Sequence, residues 1–204
     1  MESLLPALAS FIGAYLIGSL SFAVIVARLM GLPDPRSFGS GNPGATNMLR
    51  TGKKAAAVLT LLGDLAKGYA AVVLARQLGA QAGHALIATY AAALGVFIGH
   101  LFPVYFSFKG GKGVATLLGV LLALHPLLGL WSLGTWLVVF GLSRISSLAA
   151  LAAAAAAPLY AHLLMDDPNA VGVIVVLVAL LFWRHRGNIR RLLSGEEGRF
   201  AKPK

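Results

Sequence analysis

The sequence predicts an all-α protein, a polytopic integral membrane bundle of about seven transmembrane helices. Of its 204 residues, 58% are hydrophobic and only 12% are charged, whereas soluble domains have about 25% charged residues. The apolar residues are gathered in long runs, and a helix needs about 20 of them to cross a bilayer. Lysine and arginine collect in the segments between these runs, as the positive-inside rule expects.

The apolar runs divide into seven candidate spans. The first run lacks the basic start of a signal peptide, so we expect it to remain as a transmembrane helix. The fourth and fifth runs form one apolar stretch interrupted at His125 and Pro126, where proline favours a turn. Five or six spans therefore remain open as alternatives. The candidate spans are residues 4–27, 55–76, 84–106, 114–124, 126–142, 148–164 and 170–183.

The basic residues predict an orientation in the membrane. All but Lys67 and Arg76 of the 17 lysines and arginines lie in segments that follow odd-numbered spans. We expect these segments to be cytoplasmic, with the amino terminus outside and residues 184–204 forming a cytoplasmic tail. Topology thus accounts for the net charge of +10 without a nucleic-acid partner. Residues 1–204 are expected to form a single membrane-embedded domain.

The composition also limits the chemistry. The chain contains no cysteine, which excludes thiolate nucleophiles, disulfides and cysteine-ligated metals. Asp64 has no carboxylate nearby in the sequence that could share a metal ion with it. The sequence therefore implies no metal and no cofactor.

The first informative segment, residues 38–50, is rich in glycine, serine and asparagine; we call it the glycine segment. Glycines let a backbone approach a ligand and aim N–H groups at an anion, while an arginine adds a fork for phosphate. The segment predicts an oxyanion-binding loop, and a plain turn is the alternative. Its candidate residues are Gly39, Ser40, Gly41, Asn42, Gly44, Thr46, Asn47 and Arg50.

A second segment, residues 106–116, places Lys109 and Lys112 around Gly110 and Gly111 just before an apolar run; we call it the lysine segment. Backbone N–H groups, lysine charge and a helix amino terminus can hold phosphate together. Because Gly113, not serine or threonine, follows Lys112, the segment is not a Walker A loop. A basic anchor at the lipid surface is the alternative interpretation.

Charged and polar residues also occur inside apolar runs. Asp64 and Lys67 are three residues apart, so on a helix they share a face and can form an ion pair. This pair either orders a site or packs helices, and the sequence leaves both open. His100, within a span, is expected to be a hydrogen-bonded structural histidine.

The chain ends in a basic segment that contains His185, Asn188 and Arg191, each three residues apart. On a helix these side chains share a face and could meet one polar ligand. The other arginines of the segment fit a topological role or attraction to anionic lipid.

Four stretches, residues 39–50, 63–68, 99–116 and 185–197, resemble the bacterial acyl-phosphate:glycerol-3-phosphate acyltransferases, the PlsY family. The resemblance includes the order and spacing of the segments and covers essentially the whole chain. Ala150 stands where that family tends to have a further serine, so Ser147 is the serine carried over from this region.

The resemblance implies transfer of a fatty acyl group from acyl phosphate to the 1-hydroxyl of glycerol 3-phosphate, giving lysophosphatidate and phosphate at the bacterial inner membrane. Membrane lipid is then a further partner. Residues 40–46 of the glycine segment would bind acyl phosphate and the developing oxyanion, with Asn42 and Asn47 as donors to the ligand or organisers of the loop. The residues expected to hold glycerol 3-phosphate are Arg50, Lys112, Ser147, His185 and Asn188. Either His185 or a substrate phosphate would take the proton. Expected catalytic residues are Ser40, Asn42, Lys112 and His185. Expected substrate-binding residues are Gly39, Gly41, Gly44, Thr46, Asn47, Arg50, Lys109, Gly110, Gly111, Ser147 and Asn188; expected site-ordering residues are Asp64, Lys67, His100, Arg191 and Glu197.

A transporter for a phosphorylated solute is the main alternative, since it would also place basic residues near a membrane cavity. The polar segments gather on one predicted face, however, and not near the midplane at a repeat interface. His162 and Asp167 match the His-x4-Asp pattern of a different glycerol-phosphate acyltransferase family, but the charge topology places His162 outside.

Overall fold

The computed structural model describes residues 4–199, and over that range the chain is helical with no strand. Lys202 and Lys204, which contribute to the predicted basic tail, lie outside the described residues. Two 3-10 turns, Leu49–Thr51 and Val104–Phe106, flank the polar segments. The helices are α1 (Leu4–Gly18), α2 (Phe22–Leu29), α3 (Ala45–Met48), α4 (Lys54–Gln81), α5 (Ala85–Leu101), α6 (Val114–Leu124), α7 (Pro126–Ser143), α8 (Ser146–Leu164), α9 (Pro168–Arg184) and α10 (Arg186–Leu193).

Each of the seven apolar runs is helical, and the all-α membrane architecture is confirmed. The first run, predicted as one helix, is divided into α1 and α2 at residues 19–21. Within residues 4–199, 5 helices are long and apolar enough to cross a membrane, or up to 6 if α9 and α10, bent by 63° at His185, form one span. Helix α6 has only 11 residues. It ends just before His125, where the sequence predicted a division. The count of seven complete crossings remains a prediction.

The helices up to Leu124 form one compact unit and those from His125 onward form a second. In the first unit, α1 packs along α5 and α4 packs against both α5 and α6. Glycines permit the close approach of α1 and α5. A β-carbon at Gly95 would collide with the carbonyl of Phe11, and one at Gly99 with the carbonyl of Tyr15. Small residues have this role in membrane bundles because they let helix backbones approach.

Glycines also permit the close approach of α4 and α6. A β-carbon at Gly68 would overlap the carbonyl of Thr116, and one at Gly119 would overlap the carbonyl of Leu65. The two helices are therefore in backbone contact where α6 begins. This contact fixes the position of the lysine segment, which leads directly into α6.

In the second unit, α8 packs against both α7 and α9. The alanines of α8 are largely buried, and a hydrogen bond of 2.7 Å joins Thr135 of α7 to Tyr160 of α8. Helix α9 then ends at Arg184, and His185 separates it from α10. The expectation of a single domain over residues 1–204 remains a prediction.

Candidate functional site

The glycine segment is organised by the side chain of Asn47, which is buried. Its Oδ1 accepts a hydrogen bond from the Ser40 amide at 3.0 Å. Its Nδ2 donates to the carbonyls of Pro35 at 2.8 Å and Phe38 at 3.1 Å. One amide side chain thus satisfies three backbone groups of residues 35–40, which form no helix or strand. Of the two roles predicted for Asn47, donor to a ligand or organiser of the loop, the observed contacts match the second.

Two glycines of this segment have a steric requirement. Gly39 and Gly41 have φ values of 59° and 66°, a region that other residues rarely adopt. A β-carbon at Gly39 would also overlap Oδ1 of Asn47 and the side chain of Arg50. The side chain of Arg50 therefore lies against Gly39, which brings the two predicted substrate-binding residues together.

Several amides that were expected to face an anion are used within the segment. The Ser40 amide donates to Asn47, the Gly41 amide to the Phe38 carbonyl at 3.0 Å, and the Gly44 amide to the Asn42 carbonyl at 2.9 Å. Side chains remain exposed at Ser40, Thr46 and Arg50 and partly exposed at Asn42. The oxyanion-binding role is still a prediction, and these side chains are its better candidates.

The lysine segment packs against His100. The amide of Gly111 donates to the His100 carbonyl at 3.1 Å. A β-carbon at Gly110 would overlap that carbonyl, and one at Gly111 would overlap the His100 ring. Lys109 is exposed and Lys112 is half-buried. The glycines that the sequence assigned to substrate binding thus have a packing role in the structure as well.

The predicted ion pair between Asp64 and Lys67 is present, with Nζ 2.8 Å from Oδ1 and both side chains almost fully buried. Lys67 also donates to the carbonyl of Leu20 at 2.6 Å, in the break between α1 and α2. Removing one partner of such a buried pair costs about 3–5 kcal/mol, because the other charge is left uncompensated. The ion pair therefore stabilises the first unit at the point where the chain is interrupted between α1 and α2.

His100 extends this polar group towards α6. Its Nδ1 lies 3.1 Å from Oγ1 of Thr116 and 3.6 Å from Oδ1 of Asp64. The expectation of a hydrogen-bonded histidine is met. Thr116 was not singled out from the sequence, although a hydroxyl residue near the start of an otherwise apolar helix was the available signal.

In the second unit, side chains of α8 and α10 converge on Glu197; we call Ser147, Asn188, Arg191 and Glu197 the carboxylate cluster. Ser147 and Asn188 each donate to Oε1 at 2.5 Å, and Nε of Arg191 donates to Oε2 at 2.7 Å. Burial raises the pKa of Glu197, but the hydrogen bonds from Ser147, Asn188 and Arg191 outweigh it and leave the pKa below its ordinary value. Glu197 is therefore a carboxylate at neutral pH.

His185 stands at the bend between α9 and α10 and is buried. Its Nδ1 lies 2.8 Å from the carbonyl of Leu181. A carbonyl oxygen only accepts, so Nδ1 carries the proton and Nε2 carries the lone pair of the neutral ring. This tautomer is the one that a histidine acting as a base through Nε2 requires.

A further charged group beside the glycine segment was not predicted. Arg36, assigned only to topology, forms an ion pair with Asp34 at 2.6 Å and donates to the Phe106 carbonyl at 3.4 Å. The hydrogen bond from Arg36 lowers the pKa of Asp34. The guanidinium groups of Arg28 and Arg36 each lie 5.8 Å from the centre of the Phe106 ring. These contacts join the residues that precede the glycine segment to the start of the lysine segment.

Asp167, the acidic residue of the His-x4-Asp pattern, has a structural role. Its carboxylate caps α9 by accepting from the amides of Asn169 at 2.8 Å and Ala170 at 3.3 Å. His162 is exposed in the last turn of α8.

The apolar helices and the glycine-rich and basic segments between them define an integral membrane protein with polar segments suited to binding phosphate. The family model for glycerol-3-phosphate acyltransferase matches residues 8–195. The chain belongs to the glycerol-3-phosphate acyltransferase family, and the resemblance stated from its four segments is confirmed.

Similar proteins match along nearly their whole length. The glycerol-3-phosphate acyltransferase of Thiobacillus denitrificans is 58% identical over 191 residues, covering 94% of this chain and 96% of the relative. That of Cupriavidus necator is 56% identical over 205 residues, covering 100% and 99%. Crystal structures of PlsY, an integral membrane glycerol 3-phosphate acyltransferase, are similar in fold. The glycerol 3-phosphate form has a TM-score of 0.88 at 40% identity, covering 96% of each chain; the lysophosphatidic acid form has a TM-score of 0.87 at 39% identity, covering 96% of this chain and 95% of PlsY.

Proposed function

We propose that this protein transfers a fatty acyl group from acyl phosphate to the 1-hydroxyl of glycerol 3-phosphate. The observation that carries the proposal is membership of the family over residues 8–195, a range that contains both polar segments, Ser147 and the basic tail up to Gly195. The acceptor is further supported by the glycerol 3-phosphate and lysophosphatidic acid forms of the similar PlsY.

The donor chemistry agrees with the residues available. The acyl carbon forms a bond to the 1-oxygen of glycerol 3-phosphate, and its bond to the phosphate oxygen breaks. Inorganic phosphate leaves, and the hydroxyl proton passes to a base. An acyl phosphate is already activated, so positioning and stabilisation of the oxyanion are sufficient, with no acyl-enzyme intermediate. The chain has no cysteine that would form a thioester.

We assign the donor to the glycine segment. The exposed side chains of Ser40 and Thr46 and the partly exposed Asn42 would hydrogen-bond the acyl phosphate and the developing oxyanion. The acyl tail would remain among the apolar helices, because transferring it to water is unfavourable by about 0.8 kcal/mol for each methylene group.

We assign the acceptor to basic and hydrogen-bonding residues. By resemblance to the family, Arg50, Lys112, Ser147, His185 and Asn188 would hold glycerol 3-phosphate. The two basic residues would bind its phosphate through charge-assisted hydrogen bonds. The contacts of Ser147 and Asn188 with Glu197 support this assignment, since they hold both side chains in defined orientations.

The base is either Nε2 of His185 or a phosphate oxygen of a substrate. The bond from Nδ1 to Leu181 supports His185, because it fixes the tautomer in which Nε2 accepts a proton. A substrate phosphate would need no protein group at all.

We further propose that the protein resides in the bacterial cytoplasmic membrane with its amino terminus outside and its carboxyl terminus in the cytoplasm. The distribution of lysine and arginine supports this orientation. It places the glycine and lysine segments on the side where a cytoplasmic phosphorylated substrate is available.

Purified protein incubated with labelled glycerol 3-phosphate, without added metal, tests the reaction. Acyl phosphate, acyl-CoA and acyl carrier protein would be compared as donors. We expect labelled lysophosphatidate from acyl phosphate alone. Product from acyl-CoA or acyl carrier protein instead would overturn the donor assignment, and no product from any donor with folded protein would overturn the acyl-transfer reaction.

A further inference from the structure

We propose that His100 and Thr116 are positioning residues that hold the lysine segment, and with it Lys112, in place for glycerol 3-phosphate. The inference rests on the proposed function. It favours one of the two roles that the sequence left open for Asp64 and Lys67, namely that this ion pair helps to order a site and does not only pack helices.

The first step is the contact between His100 and the two glycines. The Gly111 amide donates to the His100 carbonyl at 3.1 Å, and the imidazole occupies the space in which a side chain at residue 111 would lie. The backbone one residue before Lys112 is therefore held by both the main chain and the ring of His100. A rotation of the ring would release that contact.

The second step is the set of contacts that fixes the ring. Oγ1 of Thr116 lies 3.1 Å from Nδ1 of His100, and Oδ1 of Asp64 lies 3.6 Å from the same nitrogen. Thr116 is fully buried, and its own carbonyl lies against Gly68 of α4. The hydroxyl of Thr116 is therefore held in position by the close contact between α4 and α6.

The third step is the contact of Asp64 with Lys67. Lys67 pairs with Asp64 at 2.8 Å and donates to the Leu20 carbonyl at 2.6 Å. These polar groups thus extend from the break between α1 and α2, through Asp64 and His100, to Gly111 and Thr116. The Asp64–Lys67 ion pair and the bond from His100 to Thr116 resist rearrangement, because breaking either leaves a buried polar group without its partner.

A structural role and a positioning role differ in the kinetic parameter that a substitution changes. A residue that only stabilises the fold affects the amount of active enzyme, which alters the maximal rate and leaves KM for both substrates in place. A residue that positions Lys112 changes KM for the substrate that Lys112 binds. Measuring KM separately for glycerol 3-phosphate and for acyl phosphate therefore distinguishes the two roles.

Thr116→Val is the most direct test, because it removes the hydroxyl and keeps the shape. Thr116→Ser keeps the hydroxyl and should restore normal behaviour. Thr89→Val is the matched control, since Thr89 is also a buried threonine of the first unit but bonds only within its own helix, to the Ala85 carbonyl. We expect Thr116→Val to raise KM for glycerol 3-phosphate about tenfold, with KM for acyl phosphate nearly unchanged.

A second pair of variants tests the ring. His100→Leu removes both ring nitrogens, whereas His100→Asn places an amide near the position of Nδ1 and can still bond Thr116. We expect the leucine variant to show the same selective rise in KM and the asparagine variant to recover most of it. Since KM does not depend on the concentration of folded enzyme, the comparison holds even if His100→Leu is recovered in low yield.

Equal KM values for Thr116→Val, Thr89→Val and the wild type, with lysophosphatidate still formed, would overturn this inference and leave the proposed function standing. A proportional rise in KM for both substrates would also contradict it. Absence of lysophosphatidate from the wild-type protein with every donor would instead overturn the proposed function, and this inference with it.

Discussion

The hydroxyl of Ser147, in the first turn of α8, donates to Oε1 of Glu197 at 2.5 Å across fifty positions of the chain. Asn188 shares the same oxygen, so the carboxylate orients two residues that we assign to glycerol 3-phosphate. Glu197 belongs to no regular helix and is held by side chains. It is the residue on which the carboxylate cluster depends.

Glu197→Gln is expected to destabilise the protein in a pH-dependent manner. Because the pKa of Glu197 is lower in the folded protein than its ordinary value of 4.5, its carboxylate contributes stability above that value. The contribution is lost as the pH falls through the lowered pKa. Hydrogen bonds to a charged group contribute about 1.5–3 kcal/mol, less here because Arg191 is half exposed.

Thermal unfolding in detergent between pH 7 and pH 3 measures this effect. The wild type should melt several degrees above Glu197→Gln at pH 7, and the two curves should approach each other in acid. Glu196→Gln is the control, as the neighbouring glutamate is exposed. A constant difference between wild type and Glu197→Gln at every pH would contradict the assignment.

Asn47→Ala is expected to disorder the glycine segment and to reduce kcat/KM for acyl phosphate by roughly a hundredfold, since misplacing a binding group by about 1 Å can have that effect. The variant removes an acceptor for Ser40 and two donors to backbone carbonyls. Steady-state kinetics with each substrate varied in turn gives the comparison. The exposed Asn169 supplies the control, Asn169→Ala; similar kinetics for both variants would show that Asn47 does not organise the donor site.

Gly68→Ala is expected to destabilise the first unit by about 1–3 kcal/mol, the usual cost of overpacking. The new methyl group would meet the backbone carbonyl of Thr116, which has no freedom to move aside. Gly134→Ala is the matched control, because Gly134 is also helical but has open space around its position. We expect that change to be neutral or to stabilise by about 0.5–1 kcal/mol through helix propensity.

Melting temperatures of the two glycine variants in the same detergent test whether Gly68→Ala destabilises the protein. If Gly68→Ala melted at or above the temperature of Gly134→Ala, the close contact between α4 and α6 would not exist in the protein.

His185→Asn separates the two possible bases. Asparagine can still donate to the Leu181 carbonyl, but it offers no basic nitrogen. If Nε2 is the base, kcat should fall by about 10²–10⁴-fold, with the melting temperature little changed. A normal kcat accompanied only by a raised KM for glycerol 3-phosphate would assign the proton to a substrate phosphate and leave His185 as a binding residue.

Topology reporters test the predicted orientation. Fusions after residues 52 and 110 should report the cytoplasm, and a fusion after residue 166 should report the outside, because lysine and arginine concentrate near the first two positions. Residues 52 and 110 both reporting the outside would refute the orientation and the cytoplasmic location of both polar segments.

Much of the fold could be predicted because its signals are local. Apolar runs predicted the long helices, and the interruption at His125 and Pro126 predicted the division between α6 and α7. They did not predict the break between α1 and α2, nor the short helices α3 and α10. The spacing of Asp64 and Lys67 predicted their ion pair, since residues three apart on a helix share a face. The four segments with their spacing predicted the family.

Sequence alone determined the membrane class, the family and the residues that carry polar chemistry, because composition and segment order can be read along the chain. Tertiary structure decided what those residues contact. It directed the Ser40 and Gly41 amides inward and brought Ser147 to Glu197. It also seated Gly111 on His100. Ser147 and Glu197 are 50 positions apart in the sequence. Their contact depends on how closely and in which register helices pack, which no local pattern specifies.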